Sequence, residues 1–476
     1  MPNKKEPQKS SRREFLGKTA AAVASAPLIS GASAAASSAP RARVTGGILG
    51  ANERINVGFI GCGMQFQSLI RRFNERKENT KDIEYAAVCD VWEPRLKHAQ
   101  EQTQAPKTYG DYREVLQRPD IDGVVVVVPD HWHFPMASEA CQAGKDVYLE
   151  KPMTYTIDES AKLNGIVNET GRILQVGGSG PSTQLYWRIN DYIRSGRMGK
   201  VLWGLISYNR NTDTGMWDYP IPGVGGQHWP DAEVSGENLD WDMWLGPAPK
   251  RPFSAERYFR WRKYWDYSGG NATDLLYHRL GAMSSMLGFD FPTRVTGAGG
   301  IYVQKNREVP DTYMTLVEYP GQYSINMVSC MANSQSVPLT VYGNWGTLEV
   351  LRGPVQAGDD MGDQTRGPQQ RQRQREYALV KAQRQFEEAF KEANGGKTEV
   401  TIEQPEDDQH LVDNWLDCMR SRQKPVYDVL RGYQVMVAIK LGVDSYREGK
   451  VMAFDPATRR ILEQPPARAA YMPAGA

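Results

Sequence analysis

Three short stretches of this chain carry residue types suited to nucleotide binding and proton transfer. Gly61-Cys62-Gly63 follows the apolar run Ile55 to Ile60, Glu150-Lys151-Pro152 follows Asp146 to Leu149, and Asp274 stands four residues before His278. Glycines at 61 and 63 let the backbone turn tightly and bring N–H groups and a helix N-terminus close to a pyrophosphate. Asp90 closes a second apolar run, Tyr85 to Cys89. An acid there accepts hydrogen bonds from both adenosine ribose hydroxyls and repels a 2′-phosphate, favouring NAD over NADP. Glu150-Lys151-Pro152 sits at the carboxyl end of a strand, where ligands bind in open α/β sheets. On a helix, Asp274 and His278 share a face and can point together into a cleft.

These residues need a frame. Ile55 to Ile60 reads as a buried strand, Ser68 to Phe73 as part of a helix, and Gly123 to Val128 as a valine strand ending in Pro129-Asp130-His131-Trp132-His133. Strands separated by helix-length segments predict a doubly wound parallel sheet, a Rossmann domain over 54–177. Phe66 occupies the third glycine position of G-x-G-x-x-G, so helix and strand must pack differently there. Arg294 to Val303, Tyr313 to Tyr319, Tyr323 to Ser329 and Leu339 to Tyr342 are short alternating runs. They predict an α+β domain over 178–408 with an open, largely antiparallel sheet. Within it, 360–396 contains Gln369-Gln370-Arg371-Gln372-Arg373-Gln374-Arg375 ahead of an amphipathic helix and reads as an exposed insertion. Helices over His410 to Arg420 and Tyr433 to Tyr446 complete a C-terminal segment, 409–462.

The 476 residues balance 57 Lys+Arg against 56 Asp+Glu, so no basic field marks nucleic acid as a partner and small neutral ligands fit better. Twelve Trp and 23 Tyr supply faces that can pack a core or stack on sugar rings. Five scattered Cys form no Cys-x-x-Cys pair, which argues against a disulfide framework or a zinc ribbon. His228, Asp274 and His278 show no metal-ligand spacing beyond the one i, i+4 match, so no metal is expected.

With Pro129-Asp130-x-x-His133 followed by Glu150-Lys151-Pro152, the chain resembles the glucose-fructose oxidoreductase and inositol dehydrogenase (Gfo/Idh/MocA) family. Trp241-Asp242-Met243-Trp244-Leu245-Gly246-Pro247 looks like the tryptophan-rich segment of a secreted subgroup. The resemblance implies NAD contacts from Gly61, Gly63, Met64, Gln65, Asp90, Arg95, Asp130, Trp132, His133, Glu150 and Lys151, with Asp274 and His278 beside the nicotinamide. It also implies a homo-oligomer assembled through the open sheet, and final helices that pack back on the cofactor domain.

Ser11-Arg12-Arg13-Glu14-Phe15-Leu16-Gly17-Lys18, a mild apolar stretch and Ala32-Ser33-Ala34 resemble a twin-arginine export signal over 1–39. No later run is long and apolar enough to span a bilayer. A soluble periplasmic protein, loaded with cofactor before export, is expected.

Oxidising a secondary alcohol needs a base for the hydroxyl proton while hydride leaves for the nicotinamide. His278 is the first-choice base, Lys151 the group that stabilises the alkoxide, and Asp274 the residue that orients the histidine or binds the sugar. Arg262, Tyr277, His228 and the tryptophans are candidate substrate contacts. The expected activity is oxidation of a sugar or glycoside hydroxyl, C3 for preference, with tightly bound NAD. One alternative is an NAD-dependent glycoside hydrolase running an oxidation, elimination, hydration and reduction cycle. The other is a catalytically silent sugar-binding protein that retains NAD.

Overall fold

The computed structural model describes residues 54–178, 180–218, 236–352, 376–405 and 409–466; the expected signal and His228 lie outside these. The two sheets below belong to one compact unit within 43–476. Strands β1 (Ile55–Ile60), β2 (Ile83–Cys89), β3 (Thr108–Tyr109), β4 (Gly123–Val126), β5 (Asp146–Leu149) and β6 (Leu174–Val176) form one sheet in the order β3-β2-β1-β4-β5-β6. Every pairing is parallel. Their apolar runs are continuous because helices cover both faces, and Val57, Phe59, Val124, Val126 and Leu149 are fully buried. Strand order reverses between β1 and β4, which opens a crevice at their carboxyl ends.

The first helix, Met64–Thr80, is longer than the predicted Ser68 to Phe73. Phe66, in the third glycine position, is fully buried and packs edge-on against Phe59 at 5.4 Å between ring centroids. The aromatic pair fills the space that close glycine packing would otherwise remove.

The second sheet has ten strands: β7 (Val201–Ser207), β8 (Arg294–Gly300), β9 (Thr312–Tyr319), β10 (Tyr323–Cys330), β11 (Leu339–Gly343), β12 (Gly346–Arg352), β13 (Glu376–Ala382), β14 (Glu399–Glu403), β15 (Met452–Asp455) and β16 (Arg460–Leu462). Their order is β14-β13-β12-β11-β7-β10-β9-β8-β15-β16, with β7 and β10 parallel and the other pairings antiparallel. The predicted insertion lies outside the described residues over 360–375, Gln/Arg run included; beyond it the expected helix is present, but 376–396 is part of the domain rather than an exposed insertion. Residues 376–382 pair with β12 and β14, and Phe390 is fully buried on the helix Glu387–Ala393. The alternation that buries Ala378 and Val380 was hidden by the polar sequence before it. At the C-terminus, the helix Val429–Glu448 packs against β8 and the helix Ile157–Thr170, and Leu411–Ser421 packs on β5 and β6.

Candidate functional site

The turn after β1 is set by Gly61, whose φ of +88° is open to glycine and strained for other residues. A Cβ there would lie 2.2 Å from the Val127 carbonyl oxygen, so β1 and β4 can close only over a glycine. No side chain caps the helix that starts at Met64, and Gly63, Met64 and Gln65 line the crevice. Free first-turn N–H groups at the positive end of a helix dipole suit a pyrophosphate.

At one end of the crevice, Asp90 accepts from the Cys62 N–H at 2.7 Å and the Trp92 N–H at 2.9 Å. Each carboxylate oxygen keeps a lone pair for a ribose hydroxyl. Burial raises the Asp90 pKa, against the pull of Arg95 and the two N–H donors. Arg95 lies 5.2 Å from the ring centroids of Trp92 and Tyr258, and its Nη1 donates to the Tyr258 hydroxyl at 3.1 Å.

At the other end stands an ion cluster. Lys151 Nζ donates to the Asp274 carboxylate at 2.9 Å and to the Asp274 main-chain carbonyl at 2.8 Å. Arg262 Nε reaches the same carboxylate at 2.9 Å. Burial would raise Asp274, but the two cations outweigh it and hold the carboxyl well below its usual range. Asp274 occupies a single π-helical turn, Ala272–Leu276, a feature common at functional sites. Beside it, Glu150 accepts from Gln65 Nε2 at 3.0 Å and from the Lys151 N–H at 3.1 Å; burial raises its pKa. The crevice thus joins a ribose acceptor, an anion-binding turn and a lysine in that order. An extended dinucleotide fits this series.

Other predicted residues fall in different places. Asp130 is buried and accepts from Thr273 Oγ1 at 3.0 Å; burial lifts it to about 7 against the pull of Lys151 and Arg262. His133 does not line the crevice. Its ring nitrogens lie against the carbonyl oxygens of Pro152 and, at 2.8 Å, Val128; burial lowers its pKa to about 4, so the neutral ring has one N–H to give and donates to one of the two. Trp132 does line it, with Nε1 donating to the Trp244 carbonyl at 2.8 Å. Tyr277 is a core residue, fully buried with its hydroxyl 3.3 Å from the Gly432 carbonyl, because it lies about 100° around the helix from His278. Among the described residues His278 Nδ1 has no hydrogen-bond partner, and its pKa falls to about 3 through burial and the nearby Lys151.

Sequence reading missed the residues around His278: its ring lies 6.5 Å from that of Tyr208, which is flanked by Arg210 and Arg279 at 4.8 and 5.1 Å. Of the tryptophans offered as candidate substrate contacts, Trp244 and Trp261 line the crevice, together with Met243, Tyr258 and Phe259. The density of aromatics in 241–267 was the available signal, but it carried no direction.

Residues 55–178 match the family model described as an oxidoreductase family with an NAD-binding Rossmann fold, and residues 188–323 match the C-terminal α/β domain of the same family. Glycosyl hydrolase family 109 protein 1 of Shewanella sp. (strain ANA-3) is 29% identical over 213 residues, covering 41% of this chain and 45% of that one. An alpha-N-acetylgalactosaminidase of Shewanella oneidensis is 27% identical over 202 residues, covering 36% and 43%. The chain therefore matches less than half the length of these curated relatives. Among solved structures, the WlbA dehydrogenase of Bordetella pertussis, in complex with NADH and UDP-GlcNAcA, has a TM-score of 0.57 at 17% identity, covering 85% of this chain and 99% of that one. The aldose-aldose oxidoreductase of Caulobacter crescentus has a TM-score of 0.57 at 19% identity, covering 84% and 100%. These structural likenesses concern the fold. The two matched segments of one family span more than half of the chain and meet at the crevice described above: the chain belongs to the Gfo/Idh/MocA oxidoreductase family.

Proposed function

We propose that the protein is an NAD(H)-dependent oxidoreductase that acts on a secondary hydroxyl, C3 for preference, of a sugar or glycoside, with the cofactor kept bound. The observation that carries this reading is the Lys151, Asp274 and Arg262 cluster at the end of the crevice opposite Asp90. Asp90 would hold the adenosine ribose, the Gly61 turn and the Met64 helix end the pyrophosphate, and Glu150 and Lys151 the nicotinamide end. When bound, NAD supplies reversible hydride transfer at the nicotinamide.

The chain supplies position and charge. Asp274, ionised by its two cations, fixes Lys151 Nζ so that the ammonium faces a developing alkoxide without reorganising. His278 is neutral at pH 7 and can accept a hydrogen bond from the substrate hydroxyl. A pKa near 3 makes it a weak base by itself; negative charge growing on the alkoxide raises that affinity as the proton moves.

A second reading has a specific support, the glycosyl hydrolase family 109 names of the curated relatives. In that cycle a C3 ketone acidifies the C2 proton, the C1 substituent is eliminated, water adds and the ketone is reduced. No ordinary pair of glycosidase carboxylates is then required, and Asp274, locked between Lys151 and Arg262, is poorly placed to act as an acid.

Export with NAD already bound belongs to the same proposal, supported by the Arg12-Arg13 segment. So does a homo-oligomer, for which Leu202 and Met314 leave exposed apolar side chains on the second sheet. The test is to purify the protein without added cofactor, release and quantify nicotinamide, and offer free sugars and aryl glycosides. NADH formed with a free sugar, and reoxidised only with an added acceptor, supports the oxidoreductase. Glycoside turnover with no net redox change supports the cycle. Absence of both leaves neither standing.

A further inference from the structure

The tryptophan-rich segment is fastened to the Rossmann domain at three places around the nucleotide crevice. Leu239 forms an antiparallel bridge with Trp92, and the Asp240 N–H donates to the Val91 carbonyl at 2.9 Å. The Trp244 carbonyl accepts from Trp132 Nε1 at 2.8 Å and lies 3.1 Å from His131 Nε2. The Tyr258 hydroxyl accepts from Arg95 at 3.1 Å. Between these points Trp92, Leu245, Tyr258, Phe259 and Tyr267 share a small buried apolar core of their own, so the segment is a packed unit rather than a loose loop. Its inner side, Met243, Trp244, Tyr258 and Phe259, forms one wall of the crevice whose other wall carries Gly61 and Asp90.

We propose that this segment is a clamp that keeps the dinucleotide in place between turnovers, with the Arg95 to Tyr258 contact as its latch at the adenosine end. The inference rests on the reading that NAD is the resident cofactor. A nucleotide lying along Asp90 would have backbone on one side and an aromatic wall on the other, and separation of that wall from the first domain would widen its way out. That separation breaks the hydrogen bonds named above and exposes the shared apolar core, which slows release without any added contact to the reacting atoms. Gly246 makes the close seating possible. Its φ is +50°, and a Cβ there would lie 2.1 Å from the Trp132 ring, although Gly246 does not itself line the crevice.

The test loads the full-length protein with NADH, chases with excess NAD, and follows loss of energy transfer from the surrounding tryptophans to bound NADH. Gly246→Ala wedges the clamp away from Trp132 and should speed release about tenfold or more. Tyr258→Phe removes the latch hydroxyl alone and should speed it about fivefold, the effect of one lost hydrogen bond. Circular dichroism with saturating NAD checks that each variant is folded; if Gly246→Ala is not, Tyr258→Phe decides alone. Release from Tyr258→Phe within about twofold of the unaltered protein overturns the clamp and leaves the oxidoreductase reading intact. A protein that neither carries nor takes up nicotinamide overturns both.

Discussion

Lys151 and Asp274, 123 residues apart in the chain, meet twice: Lys151 Nζ donates to both the carboxylate and the main-chain carbonyl of Asp274. Two acceptors from one residue fix the ammonium in direction as well as position. Arg262 shares the carboxylate, so Asp274 keeps a cationic partner if the lysine is lost. Lys151→Met should therefore leave the released nicotinamide per protein unchanged while turnover falls about 10³-fold. Residual activity above about a tenth of normal would remove Lys151 from the reaction.

Asp90 holds the Cys62 and Trp92 N–H groups and, in the proposed function, would also hold the ribose. Asp90→Ala should weaken NAD binding about tenfold or more and shift the NADP to NAD affinity ratio upward by a similar factor. The loss of the carboxylate removes a negative charge that would repel a 2′-phosphate, while Arg95 stays nearby on Tyr258. Fluorescence titration with each reduced cofactor measures the ratio, and an unchanged value refutes the ribose contact.

Gly61→Ala places a methyl against the Val127 carbonyl at a positive φ. The expected cost is about 2 to 3 kcal/mol of stability, together with loss of cofactor binding. A chemical denaturation midpoint indistinguishable from the unaltered protein would show that β1 and β4 can part locally.

Stability should depend on pH through buried groups of opposite sign. Burial lowers His131 to about 4 and His278 to about 3, below the ordinary histidine value near 6.5. As pH falls through about 6.5 towards 4, the unfolded chain binds protons that the native state refuses, so stability is lost. Asp130 works the other way. Its native pKa is raised to about 7, so the native state holds a proton that the unfolded chain gives up, and this contribution declines as pH rises from about 4 to 7. Thermal unfolding against pH should show Asp130→Asn gaining on the unaltered protein across that window, and His131→Gln with a flatter acid limb. Parallel curves for all three would contradict these environments.

Much of the site was readable because its parts are local. Gly61, Asp90, Glu150 and Lys151 each end an apolar run, and a parallel sheet brings strand ends to one edge whatever the connections between them. His133 belongs to the same motif, yet spacing places a residue near a cleft without saying that its ring lies against two carbonyl oxygens. Tyr277 shows the same limit: adjacent to His278 in sequence, it faces the core.

The sequence by itself determined the two architectures, through strand runs buried on both faces in the first half and alternating runs in the second, and it determined which residue types stand at the strand ends. Only the tertiary structure decided which distant groups share a charge or a wall. Lys151, Arg262 and Asp274 become one ion cluster, and Trp92, Arg95 and Tyr258 one aromatic enclosure, because chain segments more than 100 residues apart pack together. No local pattern encodes such pairing, since burial and electrostatic partners arise only when the whole core has formed.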